Sequence, residues 1–386
     1  MNKGQLIELT RECVLCGRCK AKCPTYQLLC NESFGPRGRM HLAEALLKGD
    51  ISASQRLKER LLSCTLCGAC EKTCPKSARV PWVMASLRQD LKIDSFSRIL
   101  AKWAFKHPRS AYNVSRILYY PLKKGLIKKA IIPADSPLFE YSPLEWGDVF
   151  TPPKATEPRG RIVLFSGCAV RFVFSYLAEA LIRICTLSGY EVVLPKSEFC
   201  CGAPLLGMGL QRDAEKLAKK NIQYLGALKA DMMVSLCPTC VHTMRNLYPD
   251  LTGKTIDIVD STEALTRLIN EVPLKEQKGT VVYHHPCHDL YGLNIKKEPI
   301  DLILKTGLTV TELPEGCCGF AGGFSLRFPE LSQALLEERF KGMNKESITL
   351  ATSCPGCIYQ FMKTLPQGRV VHLVEVIEES LDEEGR

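Results

Sequence analysis

Twenty cysteines punctuate a chain of 386 residues, and most of them fall into two spacing patterns. The first is Cys13-x2-Cys16-x2-Cys19-x3-Cys23-Pro24, which returns as Cys64-x2-Cys67-x2-Cys70-x3-Cys74-Pro75. Three thiolates at intervals of three residues wrap a cubane corner by corner, while a fourth, redirected by proline, reaches the neighbouring cluster. This spacing predicts two cubane 4Fe-4S clusters, one on Cys13, Cys16, Cys19 and Cys74, the other on Cys64, Cys67, Cys70 and Cys23. Zinc and disulfides are the alternatives. Tetrahedral zinc uses paired CxxC spacings and has no need of a third Cys at the same interval.

The second pattern is Cys168-x31-Cys200-Cys201-x35-Cys237-x2-Cys240, followed by Cys287-x29-Cys317-Cys318-x35-Cys354-x2-Cys357. Cys201, Cys237 and Cys240 each recur 117 residues later and Cys168 recurs after 119, so the chain carries two copies of one unit with a two-residue difference in a loop. Five thiolates exceed the four iron corners of a cubane. Either one Cys in each copy is a bystander or the cluster is not a cubane. One or two further 4Fe-4S clusters are expected here, with Cys200, Cys201, Cys317 and Cys318 as the candidates for any catalytic step. A vicinal disulfide at Cys200-Cys201 or Cys317-Cys318 is the alternative, disfavoured in a reducing compartment. Cys30 and Cys185 remain, and read as buried hydrophobes or bystanders. His284, His285 and His288 surround Cys287, but copy one has no His near Cys168. They are therefore read as residues flanking a cluster, one of them a candidate proton shuttle, with a His-Cys zinc site as the alternative.

The elements that must position these thiols follow from periodicity. Between Cys23 and Cys64, Ala43, Leu46 and Leu47 keep helical spacing up to a Gly49-Asp50 stop, and Leu57, Leu61 and Leu62 resume it after Ser52 and Ser54. The loop Gly35-Pro36-Arg37-Gly38-Arg39 brings two guanidiniums to this region, either to neutralise cluster charge or to begin a helix. Beyond about Thr151, short apolar runs at Arg161–Phe165, Met232–Leu236, Thr280–Tyr283 and Ile348–Ala351 read as buried strands, each followed directly by a site Cys. Ala214, Leu217, Ala218, Ile222 and Leu225 mark an amphipathic helix between them, with a weaker counterpart at Leu331, Ala334 and Leu335. Alternating strand and helix implies parallel sheets, whose ligands sit off the carboxyl ends of the strands. The expected fold is α + α/β, an α-helical ferredoxin domain with two 4Fe-4S clusters at 1–94, a basic linker at 95–158 and two repeated α/β domains at 159–272 and 273–386.

Bulk composition adds exclusions. Apolar residues make up 46% and charged residues 24%, an ordinary globular balance. The net charge of +10 is concentrated between Ser95 and Ala134, which holds nine basic residues and no acid, interleaved with Trp103, Phe105, Tyr112, Tyr119 and Tyr120. Pro108, Pro121 and Pro133 are expected to break any single long helix there. No nucleic-acid reading motif accompanies the charge, so nucleic acid is not expected as a partner. A solvated linker is one reading of the segment. The other is a docking surface for an acidic redox partner or for an anionic membrane face carrying a quinone reductase. The residues Met1 to Arg11 lack the apolar core of a secretory signal, and the longest uncharged stretch, Ser347 to Met362, has 16 residues and contains Pro355-Gly356. A cytoplasmic protein with no transmembrane helix is expected, with a peripheral place on the inner membrane face as its variant. Neither Gly202 to Gly209 nor Gly319 to Gly323 has the GxGxxG order, so no flavin is expected in this chain and hydride chemistry needs a partner.

These motifs together resemble the CCG-domain (cysteine-rich domain) iron-sulfur proteins, which include glycolate oxidase iron-sulfur subunits and the D-type subunit of heterodisulfide reductase. The resemblance covers nearly the whole chain. The stretch Cys23-Pro-Thr-Tyr-Gln-Leu-Leu with Gly35-Pro-Arg-Gly-Arg-Met40 is most similar to the glycolate oxidase subunit. That resemblance implies an electron relay from an FAD-binding 2-hydroxy-acid dehydrogenase of glycolate or lactate type toward a quinone or other acceptor. The heterodisulfide reductase branch implies instead non-cubane 4Fe-4S clusters on the five-Cys motifs that cleave a disulfide. Both terminal CxxC pairs, Cys237/Cys240 and Cys354/Cys357, are complete here, whereas many glycolate oxidase subunits have a degenerate terminal pair. The relay is the favoured expectation and the disulfide reductase the alternative.

Overall fold

A computed structural model describes residues 3–91, 95–123, 142–143, 145, 147–153, 157–197, 200–346, 348–365 and 369–382. The chain divides into two compact units. One gathers Met1–Lys102, Ala203–Ala214 and Gly316–Met343, the other Trp103–Gly202, Glu215–Glu315 and Asn344–Arg386.

The first unit is helical, and its helices begin and end where local chemistry dictates. Pro36 opens the helix Pro36–Lys48 at a position where a missing N–H costs nothing. Gly49, at φ +90°, closes it, its N–H and that of Asp50 both turning back to Ala45 O. The Ser54 hydroxyl caps the helix Gln55–Leu62 by accepting from the Leu57 N–H at 3.2 Å. Their apolar faces, with Met40, Ala43, Leu57 and Leu61, bury against Val83 and Met84 of the helix Val80–Leu87 in one core that also takes in Cys64 and Cys70. Gly38 is fixed by contact, since a Cβ there would lie 2.1 Å from Glu32 O. The helix Ala203–Gly207 packs on Val80–Leu87, and Pro329–Arg339 packs on Pro24–Leu29. Nothing in their local pattern marks these inserted segments as joining the N-terminal helices.

The second unit holds two sheets. Strands β1 (Val149–Phe150), β2 (Arg161–Leu164), β3 (Glu191–Val193), β4 (Met232–Ser235) and β5 (Val259–Asp260) form the first, in the order β1-β3-β2-β4-β5. Strands β6 (Thr280–His284), β7 (Thr309–Glu312), β8 (Thr349–Thr352) and β9 (Arg369–His372) form the second, in the order β7-β6-β8-β9. All pairs are parallel except β1 with β3. With β1 set aside the two orders are equivalent, so the duplication seen in the cysteines is also one of topology. The four strands expected from sequence are the central ones, β2, β4, β6 and β8. The copies share one hydrophobic core: the helix Ser175–Leu187 of copy one packs on Leu373–Glu379 of copy two, and Ser261–Leu268 packs on Glu298–Lys305.

The basic segment contains helices Ser95–Lys106 and Pro108–Lys123. Pro108 separates them, as expected, whereas Pro121 lies within the second helix. Tyr112 is buried against Phe172, with ring centroids 5.7 Å apart, and Ile99, Leu100, Trp103 and Ile117 are exposed. Lys124, Lys128, Lys129 and Pro133 lie outside the described residues. No helix among the described residues is long and apolar enough to cross a membrane.

Candidate metal centres

The two Cys-x2-Cys-x2-Cys turns of the first unit have the same backbone. Leu15 and Gly17 in the first turn, and Leu66 and Gly68 in the second, all have positive φ, between +57° and +82°. A left-handed leucine is costly for an L-residue and persists only where the surroundings impose it. Left-handed residues alternating with ordinary ones turn successive N–H groups to one side, the concavity that receives an anion. The turns lead into Arg18–Lys22 and Ala69–Thr73, which pack on each other.

Cys23, Cys64, Cys67 and Cys70 line one cavity together with Arg39, Thr25 and Thr65. The structure therefore gathers the fourth Cys of the first run with the first three of the second. Burial pushes the Cys70 thiol well above its ordinary range and raises Cys23, with Arg39 pulling Cys23 back. Cys13 and Cys19 act on each other electrostatically, and burial takes Cys19 to about 11. Cys16 is exposed, and Cys74 is half-buried at the end of Ala69–Thr73. Four thiols on one cavity, a backbone turned to receive an anion and a buried guanidinium fit a cluster with thiolate ligands, whose binding would displace the thiol protons.

The CysCysGly turns also match each other. Gly202 has φ +93° and donates its N–H to Cys200 Sγ at 3.5 Å, and Gly319 has φ +85° and donates to Cys317 Sγ at 3.4 Å. Only glycine takes that backbone without strain. At Gly319 a Cβ would also lie 2.5 Å from Ser332 O. Each turn is tied to a helix by a buried polar residue. Asn221 donates to Cys200 O at 3.2 Å and to the Tyr248 hydroxyl at 3.0 Å, and the Ser332 hydroxyl donates to Gly319 O at 2.8 Å. Asn221 belongs to Gln211–Leu225, the amphipathic helix expected from sequence, and sits on its apolar face with Ala214, Ala218 and Leu225. A polar residue on an apolar face was the available signal, and the sequence reading passed over it.

Cys237 and Cys354 follow β4 and β8 and precede the helices Pro238–His242 and Pro355–Phe361, each with proline in the first turn. Seven cysteines of the second unit then run on in mutual reach: Cys168 meets Cys200, Cys200 meets Cys201, Cys201 meets Cys240, Cys240 meets Cys237, Cys237 meets Cys354, and Cys354 meets Cys357. All five site cysteines of copy one are thus together. Cys354 and Cys357 of copy two adjoin them, and Cys287 stands at the start of His288–Leu293. Cys317 and Cys318 are buried in the first unit. Cys237 is held well below the ordinary thiol range, by hydrogen bonds from Cys240, Cys354 and the N–H groups of Cys240 and Thr239. Cys185 is a core residue whose thiol burial pushes up to about 12, whereas Cys30 is exposed rather than buried.

The three histidines around Cys287 have separate surroundings. A ring nitrogen of His284 lies within 4.8 Å of Cys357 Sγ. His285 Nε2 meets Glu312 Oε2 at 2.7 Å, and His288 Nδ1 meets Thr239 Oγ1 at 2.9 Å while stacking on His242 at 4.8 Å. Beside them lies a buried polar seam that sequence reading missed. The Ser353 hydroxyl donates to Asp289 and lies 3.0 Å from the Tyr283 hydroxyl. His372 reaches from the end of β9 to Leu236 O, immediately before Cys237, at 3.1 Å. Burial raises the Asp260 carboxyl to about 7 and lowers His372 to about 4.

Comparison with known proteins identifies the repeated and the N-terminal regions. A cysteine-rich domain model (CCG) matches residues 162–245 and 281–362, and a 4Fe-4S dicluster domain model matches residues 10–78. The glycolate oxidase iron-sulfur subunit of Escherichia coli (strain K12) is 27% identical over 97% of this chain and 95% of its own length. One subunit of the fumarate reductase (CoM/CoB) of Methanothermobacter marburgensis is 26% identical over 95% of this chain and 72% of its own. The D-type subunit of the dihydromethanophenazine:CoB–CoM heterodisulfide reductase of Methanosarcina acetivorans is 25% identical over 92% and 88%. With its dicluster domain ahead of two cysteine-rich repeats, the chain is a CCG-domain iron-sulfur protein, similar to the iron-sulfur subunits of oxidoreductases.

Proposed function

We propose that this chain is the electron-transfer subunit of an oxidoreductase complex, relaying electrons from an FAD-dependent 2-hydroxy-acid dehydrogenase of glycolate or lactate type to a quinone or another acceptor. The observation that carries the reading is the continuous run of sulfur contacts from Cys168 to Cys357, which crosses from one repeat to the other. Iron-sulfur clusters, when bound, supply one-electron chemistry. The chain's own residues do the rest. The eight dicluster cysteines and the ten of the repeats are the proposed ligands, the CysCysGly turns fix Cys200 and Cys317, and the helices Pro238–His242 and Pro355–Phe361 present Cys237 and Cys354. The proposed domains are 1–94, 159–272 and 273–386, joined by the basic segment 95–158; the proposed location is cytoplasmic, with residues 95–134 meeting a redox partner or a membrane face.

A second reading, a subunit that reduces a disulfide at non-cubane clusters, is favoured by the meeting of Cys237 with Cys354 and by the low thiol range of Cys237. One experiment separates the two. Intact anaerobic protein should hold roughly sixteen irons, four for each of four ligand sets. It should be reduced by glycolate or lactate only when an FAD-linked dehydrogenase is added, and the chemically reduced protein should leave an organic disulfide untouched. About eight irons with reactive repeat thiols would refute four clusters. Disulfide turnover lost in Cys200→Ser or Cys317→Ser would establish the second reading in place of the relay.

A further inference from the structure

The two expected sites of the dicluster region differ in the charge around them. Arg39 is 1% exposed, and no carboxylate among the described residues pairs with it. Its Nε donates to Arg60 O at 2.9 Å, its Nη2 to Thr25 Oγ1 and Ser63 Oγ at 3.0 Å each, and its Nη1 to Cys23 Sγ at 3.9 Å. Every partner except the sulfur is a neutral group. A guanidinium buried without a counter-ion is costly, and the one acceptor here that becomes an anion on ligation is Cys23. A second buried guanidinium, Arg88, donates to the carbonyls of Leu62, Cys64 and Gly207, again with no carboxylate. Around Cys13 and Cys19 the balance is different. Arg37 donates to Leu15 O at 3.1 Å, but its charge and that of Lys20 are both met by Glu32, at 2.8 and 3.3 Å. Those three side chains are partly solvated, so water and salt screen what is left.

We propose that Arg39, donating to Cys23 Sγ from a buried position, makes the Cys23/Cys64/Cys67/Cys70 site the electron-holding member of the pair. Of the two guanidiniums at the start of the helix Pro36–Lys48, Arg39 and not Arg37 has this role. Net charge and hydrogen bonds to the sulfurs set the potential of a 4Fe-4S site, and both favour the reduced state here. A single electron shared between the sites then passes from the one on Cys13, Cys16, Cys19 and Cys74, which is oxidised by one unit, to the one on Cys23, Cys64, Cys67 and Cys70, which is reduced by one. No bond or proton changes. The inference rests on the reading that these eight cysteines hold two clusters, and its test is separable from that reading.

Whole anaerobic protein is titrated with dithionite against redox dyes, with iron counted and the reduced clusters followed by electron paramagnetic resonance. Cys16→Ser and Cys23→Ser assign the signals to the two sites. In the wild type the Cys23 site should be reduced first. In Arg39→Gln its reduced-to-oxidised ratio at fixed potential should fall at least tenfold, a shift of about 59 mV for one electron, with the other site unchanged. Arg39→Lys, which keeps the charge, should recover at least half of the shift. Simultaneous or reversed reduction in the wild type, an Arg39→Gln ratio within twofold of wild type, or equal shifts at both sites would overturn the inference while the clusters stand. If Arg39→Gln fails to retain iron, the wild-type order and the Arg39→Lys shift decide. Wild-type protein without iron at these cysteines overturns the inference together with the reading beneath it, and the iron count shows which has failed.

Discussion

His372 makes three bonds, one of which, from Nε2 to Leu236 O, joins the two repeats, and this makes its contribution calculable. Its Nδ1 accepts from the Val374 N–H at 3.1 Å, capping the helix Leu373–Glu379, and its own N–H donates to Glu375 Oε2 at 2.6 Å. Nε2 faces Leu236 O at 3.1 Å. With Nδ1 an acceptor and Nε2 a donor, the ring must be the neutral tautomer. His372→Asn keeps a capping oxygen but leaves Leu236 O unpaired, at a cost of about 1–3 kcal/mol. The ring should also impose a pH dependence. Its value falls from the ordinary 6.5 to about 4 because burial penalises the charged form, against hydrogen bonds to Ser353 and Leu236 and the charge of Cys237. The unfolded chain takes up the proton first, so the contribution of His372 is intact above pH 6.5 and is lost as pH falls toward 4. At 1.36 kcal/mol per pH unit, moving from pH 7.5 to pH 5.0 should cost wild type about 2 kcal/mol that His372→Asn does not lose. Asp260 and Glu375, both raised to about 7 by burial, change stability in the opposite direction over the same window. The measured quantity is therefore the difference between the two proteins, from midpoints and slopes of anaerobic guanidinium unfolding at both pH values. A difference that is constant within 0.5 kcal/mol, taken as roughly the additivity limit, would refute the account of a buried neutral ring.

Gly319→Ala should destabilise the chain by more than about 2 kcal/mol, combining left-handed strain with displacement of Ser332 O. Gly253→Ala, at φ +72° with nothing within 4 Å of the added carbon, serves as the control and should cost about 1–2 kcal/mol; equal melting shifts would contradict the packing argument. Cys23→Ser should remove about four irons, together with the signal of the site on Cys64, Cys67 and Cys70. Cys74→Ser should instead damage the site on Cys13, Cys16 and Cys19, and the reverse assignment by resonance spectra would defeat the crossed ligation. Reversing Lys123, Lys124, Lys128 and Lys129 to Glu should weaken co-sedimentation with anionic vesicles or a redox partner by about 1 kcal/mol per charge at low salt, with cluster content unchanged. Unaltered association would return the segment to a linker.

The cysteine pattern gave away the duplication and the dicluster turns because ligation constrains both residue type and spacing. The central strands β2, β4, β6 and β8 were legible as apolar runs. The flanking strands were not, for physical reasons: β1, β3 and β5 have two, three and two residues, and the edge strand β7, Thr309-Val-Thr-Glu312, is largely exposed. Asn221, Tyr248, Asp289 and His372 also escaped notice. Each is a polar residue made necessary by a partner far along the chain, and no local period encodes such a partner. Arg39 was legible only as one of two arginines in a loop. Its distinction from Arg37 comes from burial, which depends on how Pro36–Lys48 packs.

The shared core of the repeats bears on how such a chain can be divided. Helices Ser175–Leu187 and Ser261–Leu268 of the first copy bury their apolar faces against Glu298–Lys305 and Leu373–Glu379 of the second, so each half serves as the other's solvent shield. The duplicated motif is thus a unit of inheritance and not a unit of autonomy. A protein severed between the repeats would expose an oily face on each fragment and part Cys237 from Cys354, so neither half is suited to serve as a free-standing module or an interchangeable part.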